Sequence, residues 1–402
     1  MIPVNEAIQI VLDHTARLPA ERVSLPDVRG RFLAQDVVAD SDLPPFDRAQ
    51  MDGYALLAKD TLNVPARLRI VGESVAGKGW HNTMEPGEAV RIMTGAPVPA
   101  GADSVQQVEL TREVDSGTVE ILETVAEGRS IVRRAAEIVS GSVVLRAGEQ
   151  INAAMMAVLA AFGCAEVLVA RRPRVAVLAT GSELVPVDEK PDRDQIRDSN
   201  NYSITAYAEA SGAVVERLPL ANDDQEKLKR AIAAAAERSD VVITSGGVSM
   251  GVYDFTKAAL KDLGAQILFE RVALRPGKPT VFGKLPNGTL LFGLPGNPVS
   301  VAVTFNLFAS AALSAMQGAR DPYLHAGWAI MGKTTKGSPD RESYLPAQLT
   351  TDEQGRLIAN PLKWGGSSDF VAFARTTALI DIPAGVKSVE EGEVVRIVKL
   401  PD

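Results

Sequence analysis

The sequence predicts a multidomain protein of the α/β plus β class. Three features lead there. The chain has 402 residues, enough for several separate hydrophobic cores. Between about 173 and 318, strand-like and helix-like segments alternate, the pattern of a buried sheet with helices on both faces. On either side of that stretch, short β runs predominate. The composition, 46% hydrophobic and 23% charged, is ordinary for a globular protein and excludes wholesale disorder and collagen-like structure.

Residues 1–26 and 141–172 read as a helical and linker part. In the first piece Val4, Ala7, Ile8, Val11 and Leu12 are spaced as on one helix face. In the second, Asn152 is placed to cap a helix through AAMMAVLAAF that stops at Gly163. Pairing of these two helices makes residues 27–140 an inserted β-rich module, with runs such as Leu68–Val71, Ala89–Met93 and Thr118–Leu122. Residues 173–320 form the alternating domain. Its strands are 175–180, 213–220, 241–245, 266–272 and 289–295, its helices NYSITAYAEA, DDQEKLKRAIAAAAER and DFTKAALKDL, and a helix over Pro298–Gln317 closes it. Residues 321–402, with TTALIDIP and EVVRIVKL, predict a compact C-terminal β domain. No apolar run approaches 18 residues and the start carries no basic region, so neither a membrane span nor a signal peptide is expected, and the cytoplasm is the expected location.

Lys plus Arg number 42 against 50 Asp plus Glu, a formal charge of −8. That disfavours nucleic acid as a partner while leaving room for a local basic pocket that takes a small anion. The one cysteine, Cys164, sits in AFGCAEVLV and reads as a buried small hydrophobe. His14, His81 and His325 are scattered, so zinc chemistry and Ser-His-Asp hydrolysis lack their usual parts.

Ligands of open α/β sheets sit at the carboxyl ends of strands. VLATGSEL places Thr180, Gly181, Ser182 and Glu183 there; ITSGGVSMG places Ser245, Gly246, Gly247, Ser249 and Gly251, with Asp254 following. Their backbone N–H groups suit an anion nest, although glycine-serine turns are also common loop chemistry. GLPGNPVS, with Pro295 and Gly296, sets Asn297 as an N-cap with Pro298 at the first helical position. RPGKP holds Arg275 and Lys278 on a stiff turn suited to a compact oxyanion. Glu183, Asp198, Asp223, Asp224 and Asp254 are the carboxylates available to a Mg²⁺ ion, and helix capping is the plain alternative for Asp223 and Asp224. Outside this domain, LPPFDRAQMDGYAL displays Asp47, Arg48 and Asp52 beside Gly53, where a backbone can come close to a ligand. RIMTGAPVPAGADSV adds Thr94 and Gly95, and IVRRAAE adds Arg133, Arg134 and Glu137.

Taken together and in this order, PPFDRAQMDGYAL, RIMTGAPVP, VLATGSEL, the DSN of 198–200, TSGGVSMGVYDF, RPGKP and GLPGNPVS resemble the molybdopterin molybdenumtransferase family, which includes the C-terminal domain of gephyrin. The resemblance implies a molybdopterin-binding-type three-layer α/β/α centre, the inserted β-rich module and a β-barrel-like C-terminal domain. It also implies insertion of molybdate into adenylylated molybdopterin with loss of AMP. It further implies a Mg²⁺ cofactor and a homodimer whose active site lies between the α/β domain of one subunit and the β module of the other. Asp52, Thr94, Glu183, Asp224 and Asp254 match the family's catalytic positions, with Glu183 and Asp254 as metal ligands. Thr180, Gly181, Ser182, Asp198, Asn200, Ser245, Gly246, Gly247, Ser249, Pro295, Gly296 and Asn297 match substrate-binding positions. Arg275, Lys278, Ser300, Arg341, Ser367 and Ser368 match a molybdate pocket.

The sequence departs from the family pattern in three places. Ser182 stands where Asp is common, Ala135 and Ala136 stand where Gly and Glu are common, and Glu109 is displaced by one residue. Two other readings stay open: a molybdopterin-binding scaffold without catalysis, and the adenylyltransferase that makes the substrate. Retention of Asp52, Glu183 and Asp254 speaks against the first, and MDGYA with the C-terminal β domain against the second.

Overall fold

The computed structural model describes residues 1–220, 225–246 and 255–401, with backbone alone at 255–257. Two compact units emerge. One comprises residues 36–146 with 154–165, the other residues 1–35, 147–153 and 166–402.

The first unit is built on a six-stranded sheet in the order Ser104–Gln107, Gly53–Leu56, Glu88–Ile92, Ala66–Ser74, Thr118–Ile121, Thr111–Asp115. Its side chains alternate between two apolar clusters: Ala55, Val90, Ile92 and Val105 enter one, and Tyr54, Leu56, Ala89 and Val119 the other. Burial and the Glu113 carboxylate beside it push the Tyr54 hydroxyl up to about 12. The Ala153–Ala161 helix belongs to this unit and ends before Gly163, whose φ of +70° is the left-handed stop anticipated there. Cys164 is half-buried rather than fully buried, and burial pushes its thiol up.

Ala135 takes φ +62°, a conformation that costs an L-residue with a Cβ about 1–2 kcal/mol. Ala135→Gly is therefore expected to stabilise this unit by about 1 kcal/mol after the extra entropy of unfolded glycine is subtracted. A rise in the urea midpoint would show it; no change would mean that the loop already relaxes the strain.

In the second unit the α/β sheet runs Val214–Arg217, Arg174–Ala179, Val241–Ser245, Leu290–Leu294, Val281–Lys284, Gln266–Phe269. The first four strands are parallel; the last two pair antiparallel, so the sheet is mixed. Both faces are buried. Val175, Val177, Ile243 and Phe292 pack with the Asn200–Ala210 helix and the long closing helix, while Ala176, Leu178, Val242 and Leu291 pack against Leu228 and Ile232 of the Gln225–Ala236 helix. Val4, Ala7 and Val11 of the Val4–Asp13 helix enter the first of these clusters and dock on the Ser310–Met316 segment. Within its unit the first helix thus finds a partner in the closing helix. Ala20–Ser24 and Glu166–Ala170, read as linker, form an antiparallel strand pair.

The closing helix, Pro298–Met316, is the one described helix long and apolar enough to cross a membrane, yet 89% of its apolar window is buried inside the fold. It contains a π turn at Phe305–Ala309, where Thr304, Asn306 and Ser310 side chains bond carbonyls four residues back.

The C-terminal strands Ala326–Met331, Glu342–Thr351, Leu357–Pro361, Ala378–Ile382 and Val394–Lys399 close into a five-stranded barrel. A sixth short strand, Leu274–Arg275, comes from the α/β domain and pairs parallel with Glu342–Ser343. Beside that junction Tyr344 donates to Glu342 at 2.7 Å, and Arg396 pairs with the buried Asp381.

Burial, reinforced by the Asp381 carboxylate, pushes the Glu342 carboxyl above its usual range. The folded state disfavours ionised Glu342, so stability is highest below the ordinary Glu pKa and falls as pH rises through the raised value. Glu342→Gln keeps an acceptor for Tyr344 and removes that penalty. It is expected to raise the melting temperature near pH 8 and leave it unchanged near pH 4; equal shifts at both pH values would contradict the assignment.

Candidate active site

The chain connection from Arg174–Ala179 runs first to Val214–Arg217 on one side and then to Val241–Ser245 on the other, so the sheet's topological switch lies between the first and third of these strands. Thr180 and Gly246 follow those two strands directly, and a cleft of about 800 Å³ opens there. The Thr180 N–H donates to the Ser245 carbonyl at 2.9 Å, locking the two strand ends together. Gly246 has φ +92°, and a Cβ on it would lie 2.3 Å from the Thr180 carbonyl oxygen. Gly246→Ala is accordingly expected to cost about 1–3 kcal/mol and to distort the cleft, as read by urea denaturation; a neutral substitution would mean that this turn adapts freely.

One wall of the cleft is cationic. Arg275, Lys278 and Arg341 line it together with Ser300, Ser367 and Trp364, and Glu183 is the one carboxylate among the described lining residues. Arg275 is held from outside its own domain: its strand pairs with the barrel and its Nη1 donates to the Gly337 carbonyl at 3.2 Å. Arg341 has a loose partner, with Nε 3.5 Å from Asp340, whose side chain is 63% exposed. An exposed pair of this kind neutralises little, so three cations remain to attract an anion. Hydrogen bonding from the Ser338 hydroxyl, and then the charge of Arg341, hold the Asp340 carboxyl below its usual range.

A second lobe of about 580 Å³ shares Thr180, Glu183, Gly246, Gly296 and Asn297 with the first. It adds Leu184, Ile196, Asn200, Ser245, Ser368 and Phe370. Asn200 spans its floor, donating to Ser245 Oγ at 2.9 Å and to the Gly296 carbonyl at 2.7 Å. The Oδ1 of Asn200 is buried without a partner among the described residues. Asp198 also borders this lobe, but its carboxylate accepts the Asn201 N–H at 3.0 Å and so serves the helix start.

Asn297 does precede the helix, with Pro298 at its first position, yet its side chain does not cap it. It donates instead to Ser367 Oγ at 2.8 Å, and the Val299 N–H is taken by the Ser367 carbonyl at 3.0 Å. The helix start is therefore stapled to the barrel through Ser367, while Asn297 and Ser300 still line the cleft.

In the other unit Asp52 accepts both the N–H and the hydroxyl of Thr94, each at 2.7 Å. Those bonds, the backbone one foremost, hold the exposed Asp52 carboxyl below its usual range. Gly53 serves the sheet rather than a ligand: a Cβ there would lie 1.9 Å from the Gln106 carbonyl. Asp47 pairs with Arg133 at 2.6 Å and Arg48 with Glu137 at 3.3 Å, while Arg134 gives its backbone N–H to Asp47 at 2.7 Å and its guanidinium to Asp42 at 2.5 Å.

The structure thus gathers Thr180, Gly181, Glu183, Gly246, Arg275, Lys278, Pro295, Gly296, Asn297, Ser300, Arg341 and Ser367 on one cleft, with Asn200, Ser245 and Ser368 on the adjoining lobe. Ser182 lines neither lobe. Gly247, Ser249, Gly251, Asp223, Asp224 and Asp254 lie outside the described residues. Trp364, Gly365 and Gly366 were not singled out from sequence, although the WGGSS tract is itself a loop signal.

Among the described residues no cluster of three or more His, Cys, Asp or Glu is built to hold a metal. Mg²⁺ asks for less: one or two carboxylates, with waters and substrate phosphates completing its shell, and Glu183 at the junction of the two lobes fits that demand.

Three family patterns match the chain: the MoeA N-terminal region (domain I and II) over residues 2–163, a probable molybdopterin binding domain over 176–315, and the MoeA C-terminal region (domain IV) over 329–400. The chain is 35% identical over 403 residues to the molybdopterin molybdenumtransferase of Bacillus subtilis (strain 168), covering 98% of this chain and 93% of that protein. It is 36% identical to that of Staphylococcus aureus (strain MRSA252), covering 99% and 95%. The crystal structure of a molybdopterin biosynthesis MoeA protein from Pyrococcus horikoshii OT3 superposes with a TM-score of 0.86 at 29% identity over 100% of both chains. A second crystal structure of the MoeA protein from the same species gives 0.83 at 31% over 99% of both. With its strand-end cleft and its barrel-anchored cations, the chain belongs to the molybdopterin molybdenumtransferase family, the MoeA proteins.

Proposed function

We propose that this chain inserts molybdate into adenylylated molybdopterin with release of AMP, forming the molybdenum cofactor. The observation that carries the reading is the cleft itself: Arg275, Lys278 and Arg341, with the hydroxyls of Ser300 and Ser367, around a space of about 800 Å³. A tetrahedral dianion leaving water needs such cations and donors. The adjoining lobe leaves room for the rest of a large phosphate-bearing substrate.

In this mechanism the anhydride between AMP and the molybdopterin phosphate breaks, a water or molybdate oxygen supplies the new P–O bond, and AMP leaves. The two dithiolene thiols bond to molybdenum as one molybdate oxide leaves as water with their two protons, so the metal keeps its oxidation state. Positioning and charge stabilisation carry most of such a displacement. Thr180 and Gly246 seat the substrate at the strand ends, Asn200 holds the floor, and Arg275, Lys278 and Ser300 keep molybdate beside the dithiolene. Glu183 and Asp254 would hold Mg²⁺, which supplies neutralising charge to the phosphates. Asp52, kept ionised and aimed by Thr94, orients the attacking oxygen. Asp224, Gly247 and Ser249 complete the substrate shell in this reading.

We assign Asp52 to act across a homodimer, from the β module of one subunit upon the α/β domain of its partner. Domain limits at 1–26 with 141–172, 27–140, 173–320 and 321–402 and a cytoplasmic location belong to the same reading. The test is molybdenum in the product. The purified chain, given adenylylated molybdopterin, Mg²⁺ and molybdate, should yield a dithiolene carrying stoichiometric molybdenum; metal-free molybdopterin alone would refute the proposal.

A further inference from the structure

Four residues on the cationic cleft, Trp364, Gly365, Gly366 and Ser367, come from a loop between two barrel strands. Two of them are glycine, and Gly366 holds φ +119°, so the loop has little conformational preference of its own. One side chain within the loop's own segment closes it on itself. The Asp369 carboxylate accepts the Gly365 N–H at 2.8 Å with one oxygen and, with the other, the Ala372 N–H at 3.1 Å, the start of the Phe370–Phe373 turn. The same loop is tightened by the Asp369 N–H on the Gly366 carbonyl at 3.0 Å. The closed loop is what presents Ser367 to Asn297 and to the Val299 N–H, next to Ser300. Its two N–H donors hold the Asp369 carboxyl below its usual range, so both oxygens accept at neutral pH.

We infer that Asp369 is a positioning residue for the oxyanion: by latching Gly365 it sets the register of Ser367 and Trp364 against the cations of the cleft. Asp369 lines neither lobe and touches no substrate in this account. The inference rests on the molybdate reading of the cleft.

Asp369→Ser separates the latch from the cap. Serine caps a helix start about as well as aspartate, but it is too short to reach back to Gly365. Molybdate binding to the full chain is measured by titration calorimetry, together with KM for both substrates and the melting temperature. The expected result is a native melting temperature, molybdate binding weakened about tenfold or more, and a KM for molybdate raised in step while KM for adenylylated molybdopterin stays native. Native molybdate binding by Asp369→Ser would overturn the positioning role alone. Equal increases in both KM values would overturn it too, since a general structural defect then explains the loss. A wild-type chain that takes up no molybdate would contradict the oxyanion reading of the cleft, and the inference with it.

Discussion

Asp52→Ala is expected to lower the rate of AMP release by about 10²–10³, the usual cost of removing one preorganised electrostatic group, while leaving the binding of adenylylated molybdopterin near native. The carboxylate is exposed and already tied by two Thr94 donors, so it contributes little packing and its loss should not unfold the β module. Thr94→Val removes the hydroxyl bond and keeps the backbone one, so its loss should be smaller than that of Asp52→Ala. Because its donors hold Asp52 below the usual carboxylate range, the group stays ionised down through mildly acidic pH. A fall of activity on the acid side near neutrality therefore belongs to another group. Turnover at the native rate by Asp52→Ala would remove Asp52 from the mechanism.

Arg275→Ala is expected to raise the molybdate concentration needed for half-maximal activity about 10- to 100-fold. Hydrogen bonds to charged groups are worth about 1.5–3 kcal/mol, and each 1.4 kcal/mol is a factor of ten. The guanidinium is oriented from the barrel through the Gly337 carbonyl, which lysine, with a single flexible ammonium, does not reproduce. Arg275→Lys should recover only part of the loss. Unchanged molybdate dependence in Arg275→Ala, measured as initial rate against molybdate, would place the oxyanion elsewhere.

Much of the α/β domain is legible in the sequence because its strands are buried on both faces and read as continuous Val, Ile and Leu runs, as in VVITS and TLLFGLP. Short segments whose partners are far away in sequence are not. Val281–Lys284, an antiparallel strand, follows Pro279 and contains Gly283, and it reads as the tail of a loop. Leu274–Arg275 becomes a strand only because the barrel offers an edge about 70 residues later, and no local signal announces that. The same holds at the site. Glycines and cations at strand ends mark the cleft, but the donor choice of Asn297 and the latch at Asp369 depend on a loop that folds back from another domain.

The reading at Gly53 failed for a related reason: a missing Cβ shows that something comes close, and the neighbour is the Gln106 carbonyl. Charges proved equally ambiguous. Asp47 and Arg133 satisfy each other at 2.6 Å, whereas no carboxylate among the described residues pairs with Lys278.

The most direct test of the central claim is AMP release from adenylylated molybdopterin by the purified chain with Mg²⁺, measured with and without micromolar molybdate. The account predicts release that depends on molybdate in the native chain and needs far more molybdate in Arg275→Ala. Tight binding of the substrate with no AMP released under any oxyanion would contradict it and leave a carrier in place of a transferase.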